Sequence, residues 1–429
     1  MNNPATSRAA EATARAFVDA LRTEAHERAA KMLDETMAAA LPVDKLRATW
    51  TGVCGQYGAF KSVDGVRSEE AKGMVAEVVT CSFEKGALDL RVVVNPATQK
   101  VSGFWIKPAE KPASAYEAPA YVKPEAFADS EVKVGTGEWQ LPGTLAKPKG
   151  AGPFPAVVLV AGSGPHDRDE SIGPNRPFRD LGWGLASRGI ATLRFDKRTF
   201  AHQAKMAAHP DEVDIDQEYV LDACAAVALL RQTPGIDPKR VLVLGHSQGG
   251  TMLPRIAQHC PEVAGLIGLA AGFRPLEDIV IEQTEYLLSL KGPIDAEGKA
   301  KLDELRQIAA RVKDPKLSTS TPSKDLMGLP ARYWLSLREY SIPKTAAAVR
   351  QPALMLQGAR DYQVTSADFD LWKKAFAGKA QVTFKLYPDL NHLFMEGTGK
   401  STPSEYDHAG HVKAEVVEDI AAWVGKPGG

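Results

Sequence analysis

Cysteine is scarce in this chain: there are four in 429 residues, Cys54, Cys81, Cys224 and Cys260, and none has the paired spacing that a metal site requires. They read as buried free thiols, with a Cys54–Cys81 disulfide as the alternative. Long apolar runs are also missing. None approaches the roughly 20 residues needed to cross a bilayer, and the opening "MNNPATSRAAEATARAF" lacks the continuous apolar segment of a signal peptide. The expectation is a soluble protein, cytoplasmic as written, or periplasmic or secreted if a leader was removed. Net charge is nearly absent too. The 52 basic and 53 acidic residues leave a formal charge of −1, without a block of like sign that would hold a phosphate backbone or an anionic bilayer. Neither nucleic acid nor a membrane is therefore an expected partner. No internal repeat or low-complexity tract interrupts the chain.

An apolar fraction of 44% is ordinary for a globular protein, and the length suits two domains. Residues 7 to about 40 carry apolar side chains at helical spacing with few breakers, which predicts one or two long helices. Alternating runs follow, "GAFKSVDGV", "MVAEVVTCSFEKG", "LDLRVVVNP" and "KVSGFWIKP", separated by Gly, Asn and Pro as in antiparallel hairpins. Residues 1–107 are thus expected to form an α+β domain, with Trp50, Tyr57 and Trp105 either in its core or as exposed contact residues. The proline-rich stretch at 108–127 has neither periodicity and is expected to be a linker. From 128 to 429 strands apolar on both sides alternate with helices, the pattern of a mainly parallel sheet covered on both faces. That alternation breaks once. Helical segments at about 274–345 interrupt it at a strand end, where a lid over a pocket would sit.

The stretch "RVLVLGHSQGGTMLPRIAQ" runs from strand to helix with Ser247 at the corner. Gly245, Gly249 and Gly250 leave room for a turn tight enough to expose a serine oxygen. A serine hydroxyl needs a base, and the base needs an acid to orient it. In strand-end loops further on stand Asp361, in "ARDYQV", and His392, in "DLNHLF"; Asp389 and Asp278 are rivals for the acid. An oxyanion hole needs two backbone N–H groups, which Gln248 and Ser163, in "GSGPHDRDES", are placed to supply. His246 is assigned to packing. Asp167, Arg168 and Asp169 read as a charged, self-paired loop, and His408 and His411 as a solvated helix start, rather than as metal ligands.

Together "GSGPHDRDE", "LRFDKR", "GHSQGG", "GARDYQV" and "NHLF" resemble the α/β-hydrolase superfamily, in its esterase and dienelactone-hydrolase-like branch. The resemblance covers about residues 130–424 and implies an eight-stranded, mainly parallel sheet, a helical lid, a Ser247–His392–Asp361 triad, and no cofactor or metal. Dienelactone hydrolases carry cysteine where this chain has Ser247, which disfavours that substrate. The segment from about 9 to 107 resembles, more loosely, a small domain that precedes such hydrolases in some bacterial proteins. The implied activity is hydrolysis of small-molecule carboxylic esters through an acyl-enzyme. An aminopeptidase, an amidase or an acyltransferase would use the same constellation, and a binding protein on a decayed scaffold would show a broken triad. Tyr286, Tyr333, Trp334 and Tyr340 are candidates for the substrate site, and the N-terminal unit for shaping its entrance or for a homodimer contact.

Overall fold

A computed structural model describes residues 4–71, 74–109, 116–209 and 213–426. The chain divides into two compact units, Met1–Ser114 and Ala115–Gly429.

In the first unit four helices, Pro4–Arg22, His26–Met32, Glu35–Ala40 and Val43–Tyr57, precede an antiparallel sheet. Its strands are β1 (Phe60–Ala71), β2 (Met74–Phe83), β3 (Gly86–Val94) and β4 (Val101–Pro108), paired in sequence order. The long helical run anticipated over 7–40 is broken twice. Asp34, for example, turns the chain and caps the next helix by accepting the Met37 N–H at 2.8 Å. The helix Val43–Tyr57 is additional to the expected ones. Phe17, Leu21 and Trp50 bury against Phe83, Leu88 and Leu90 of the sheet. Trp50 is core, whereas Trp105 is 56% exposed, its ring facing the Arg91 guanidinium.

The second unit holds a mixed eight-stranded sheet in the order β12-β11-β10-β9-β7-β8-β6-β5. The strands are β5 (Phe127–Val134), β6 (Leu141–Pro148), β7 (Phe154–Val160), β8 (Ala191–Phe195), β9 (Ile236–His246), β10 (Leu266–Leu269), β11 (Ala353–Gly358) and β12 (Val382–Tyr387). β5 and β6 form the antiparallel edge, while β7 through β12 pair in parallel. Strand periodicity divides the apolar residues between two cores. Val158 and Val243 face the helices Leu221–Gln232, Leu253–His259 and Ser366–Ala375 on one side. Val157, Leu159, Leu242 and Leu244 face Pro177–Ala186 and Ala414–Val424 on the other.

Residues 116–127, placed in the linker by composition, lie in this second unit, where the Tyr116 hydroxyl donates to Asp180 at 2.6 Å and Tyr121 donates to the Val412 carbonyl at 2.8 Å. The cysteine expectation is corrected as well. Cys224 and Cys260 form a disulfide, with Cα atoms 5.8 Å apart, that joins the helix Leu221–Gln232 to the end of Leu253–His259; Cys54 and Cys81 are free. Two cysteines 36 residues apart in sequence give no local signal of such a contact. Between β10 and β11 stand the helices Leu276–Ser289, Ala296–Lys313, Ala331–Glu339 and Ile342–Ala348. Among the described residues no helix is long and apolar enough to cross a membrane.

Candidate active site

β9 ends at His246, and the next residue, Ser247, has φ 52° and ψ −120°. A non-glycine residue in that region is strained and is held there by its surroundings. The surroundings are glycines. A Cβ on Gly245 would collide with the Gly249 carbonyl, one on Gly249 with the Val160 carbonyl, and one on Gly250 would stand 2.8 Å from Ala271 Cβ. Close packing of strand, turn and helix thus fixes Ser247 at the carboxyl edge of the sheet.

β7 lies beside β9, so the loop leaving β7 passes next to this corner. A Cβ on Gly162 would come within 3.0 Å of Ser247 Cβ. Ser163 follows, and Ser163, Ser247 and Gln248 share the wall of one cavity. The Gln248 amide is at a helix start, where N–H groups lack intrahelical acceptors. Neither it nor the Ser163 amide donates to another group among the described residues.

His392 and Asp361, on the loops after β12 and β11, are both buried, with Nδ1 of His392 2.6 Å from Asp361 Oδ2. The other carboxylate oxygen, Oδ1, accepts the N–H groups of Gln363 at 2.8 Å and Val364 at 3.0 Å. Gln357, which sequence reasoning passed over, donates to Oδ2 at 3.2 Å. Of the rival acids, Asp389 is exposed and Asp278 pairs with Lys313 at 2.5 Å. An Nδ1–H given to Asp361 leaves the lone pair on Nε2.

His246 does more than pack. Its Nδ1 lies 2.9 Å from Glu170 Oε1 and its Nε2 2.9 Å from the His392 carbonyl oxygen, so one ring ties the serine corner to the histidine loop. Glu170 Oε1 also accepts the Gly162 N–H at 2.7 Å. Burial alone would raise the Glu170 carboxyl, but the His246 charge beside it and the hydrogen bonds from His246 and Gly162 hold it below the usual carboxylate value. Burial likewise pulls His246 down, and Glu170 outweighs it, leaving the imidazole above its usual value. Glu170 therefore adds stability that is complete above 4.5 and lost as pH falls through its lowered native value. His246 adds stability that is complete below 6.5 and lost as pH rises through its raised native value. The melting-temperature gap between wild type and Glu170→Gln is accordingly expected to be widest between about pH 4.5 and 6.5 and to narrow in alkali. A gap that persists undiminished in alkali would mean the pair is not ionic.

Arg168 and Asp169 pair with residues of β5, of β8 and its end, and of the helix Pro177–Ala186 rather than with each other. Arg168 donates to Asp196 and Glu131, and Asp169 pairs with Arg194 and Arg179. Of these three, Asp167 is the one that bonds within the loop, accepting from Asp169 and Ser171. Near the chain end, His411 faces Asp180 at 3.2 Å while His408 is exposed.

The cavity beside Ser247 has a volume of about 630 Å³ and is walled largely by the segment between β10 and β11, including Phe273, Ile279, Trp334, Tyr340 and Ile342, with Leu371 added from the helix Ser366–Ala375. Of the four aromatic candidates, Trp334 and Tyr340 line it. Tyr340 donates to the Thr251 carbonyl and Trp334 Nε1 to the Leu326 carbonyl, so both rings are fixed. Tyr333 stands behind the wall, its hydroxyl accepting from Gln248 Nε2 at 2.9 Å. Tyr286 stacks on Tyr362 and donates to the Ser401 carbonyl; neither it nor Tyr333 is among the lining residues.

Residues 174–398 match a family model described as serine aminopeptidase, S33, and residues 14–104 match a protein family of unknown function. The chain is also 37% identical over 411 residues to esterase EstD of Thermotoga maritima, spanning 96% of this chain and 94% of that one. This chain is an α/β-hydrolase. Solved structures similar to it include Est1E from Butyrivibrio proteoclasticus, 17% identical over 68% of this chain and 95% of that one, with a TM-score of 0.43. Another is an esterase from Pyrococcus furiosus, 18% identical over 71% and 94% of the two chains, also with a TM-score of 0.43.

Proposed function

We propose that this α/β-hydrolase is a serine esterase that cleaves carboxylic esters through an acyl-enzyme. The observation that carries this is a strained Ser247 at the wall of an apolar cavity, with a buried Asp361–His392 pair 2.6 Å apart on the same sheet edge. Ser247 Oγ adds to the ester carbonyl carbon while His392 Nε2 takes its proton. The resulting oxyanion accepts the N–H groups of Gln248 and Ser163. The bond from the carbonyl carbon to the alcohol oxygen then breaks, and His392 gives its proton to that oxygen. Water repeats the cycle on the acyl carbon, losing a proton to His392, and the carboxylic acid leaves as Ser247 regains its hydrogen. Asp361 holds the imidazole in the tautomer both halves need. The helices at 274–345 act as the lid that keeps bulk water from the acyl group.

The family model's description raises aminopeptidase activity as the second reading. Such an enzyme must hold a free ammonium, yet the charged residues around this cavity are Arg274, Lys313 and Arg338 against one carboxyl, Glu277, which burial raises above its usual value. Lys313 pairs with Asp278, and Arg274 with Asp368 and Glu282, so what disfavours an ammonium is that the one carboxyl lining the cavity is held toward its neutral form by burial, which tolerates an uncharged acyl chain. The deciding measurement is turnover of p-nitrophenyl esters of increasing chain length beside aminoacyl p-nitroanilides. Esters are expected to be the better substrates; faster cleavage of the anilides would make the protein an aminopeptidase. Within the ester series Trp334→Ala should shift preference toward bulkier acyl groups, and an unchanged profile would place the acyl chain elsewhere.

A further inference from the structure

Lys197 has no part in the steps above, yet it is only 3% exposed and lies two residues past the end of β8, at the edge where Ser247 sits. Its Nζ is ringed by oxygens: the Gly162 carbonyl at 2.6 Å, the Gly164 carbonyl at 2.9 Å, the Tyr219 hydroxyl at 2.7 Å and Glu218 Oε1 at 3.1 Å. Glu218 and Tyr219 come from a single π-helical turn, Asp216–Val220, of the kind that often marks functional positions. Burying an ammonium is costly, and burial pulls Lys197 below its usual value against the opposing pull of Glu218. An apolar side chain would fill the same space at less cost, so the charge calls for a reason.

Peptide geometry supplies it. Across a trans peptide the C=O and the following N–H point in opposite directions. The Gly162 carbonyl is drawn to Lys197, and the Tyr219 hydroxyl also donates to it at 3.2 Å. The N–H of Ser163 must therefore point away from Lys197, on a residue that lines the cavity beside Ser247. The preceding peptide, Ala161–Gly162, is fixed as well, because Glu170 holds the Gly162 N–H at 2.7 Å, so Gly162 is anchored at both its N–H and its carbonyl. The ammonium also withdraws electron density from the amide it binds, which makes the attached N–H a stronger donor.

We propose that Lys197 is a positioning residue that clamps the Gly162 and Gly164 carbonyls and so presents the Ser163 N–H to the oxyanion of the tetrahedral intermediate, an assignment that rests on the esterase reading above. An interaction made with the oxyanion favours the transition state over bound substrate, so its loss lowers kcat and spares KM.

The test is Lys197→Met, which keeps the unbranched apolar stem and removes the charge, assayed on p-nitrophenyl acetate and with a trifluoromethyl ketone that captures serine as a tetrahedral adduct. The kcat should fall by about 100-fold, as for loss of an oxyanion donor, with KM within about twofold, and the ketone's inhibition constant should rise by the factor that kcat falls. Tyr219→Phe, which removes one of the two donors to the Gly162 carbonyl and leaves Lys197 paired with Glu218, should show a smaller loss of the same kind and decides the matter if Lys197→Met does not fold. A folded variant that keeps its kcat, or that loses KM alone, overturns the clamp. Ser247→Ala run in parallel separates the two claims: if it is inert while Lys197→Met is fully active, only the clamp fails, and if it is active, the esterase mechanism fails as well.

Discussion

Ser247→Ala is expected to lower ester turnover by on the order of 10⁶-fold, the size of loss seen when a serine nucleophile is removed from a complete triad. The size follows from the members acting as one unit: without the hydroxyl, His392 has no proton to take and the oxyanion donors have no adduct to stabilise. The fold should survive. Alanine keeps the Cβ that the φ of 52° already accommodates, and the colliding neighbours are glycines whose backbone does not change. Melting temperature and circular dichroism should therefore match wild type while labelling by a fluorophosphonate probe disappears. Esterase activity within about 100-fold of wild type, in material free of wild-type protein, would remove Ser247 from the mechanism.

Much of this site could be read in the sequence because its parts are local. Strand, glycine, serine, glycine and helix occupy one continuous stretch, and Asp361 and His392 each follow an apolar strand within a few residues. The parallel pairing of β9 to β12 brings the loops that carry these three residues to one sheet edge. What stayed hidden depends on contacts across the fold. Glu170 and Lys197 sit in "HDRDE" and "LRFDKR", where they look like ordinary loop charges, yet Lys197 closes on the Gly162 carbonyl because β7 and β8 are neighbours, and Glu170, holding the Gly162 N–H of its own loop, reaches His246 because β7 and β9 are. The Cys224–Cys260 bond has the same origin, since its partners lie at facing ends of two helices packed on one side of the sheet. In the first unit, apolar spacing indicated helices but not their breaks, which capping by Asp34 and packing against the sheet decide. Aromatic content was the weakest guide. Tyr286 and Tyr333 carry the same chemistry as Tyr340, and only the path of the helices puts one at the cavity and the others behind it.

The second large effect is expected at the acid. Asp361→Asn should lower kcat by about 10⁴-fold, as replacing a triad carboxylate by its amide does, whereas Asp389→Asn should leave it within about twofold, in the range of a surface change. Hydrogen bonding around Asp361 explains why so small a change is so costly. Oδ1 accepts two backbone N–H groups, from Gln363 and Val364, a place that only the amide oxygen of asparagine can take. Its NH2 is then forced into the position of Oδ2, facing His392 Nδ1 and the Gln357 amide. Nδ1 must accept rather than donate, so the ring proton moves to Nε2, the atom that should receive the proton of Ser247. The imidazole stays in place in the wrong tautomer. Activity of Asp361→Asn should accordingly recover as pH rises only to the extent that hydroxide replaces the base, while its KM remains near wild type and its melting temperature falls because the new NH2 opposes the buried Gln357 donor. Asp389, exposed on the turn after β12, touches neither ring nitrogen, and a larger loss from Asp389→Asn than from Asp361→Asn would transfer the acid's role to it.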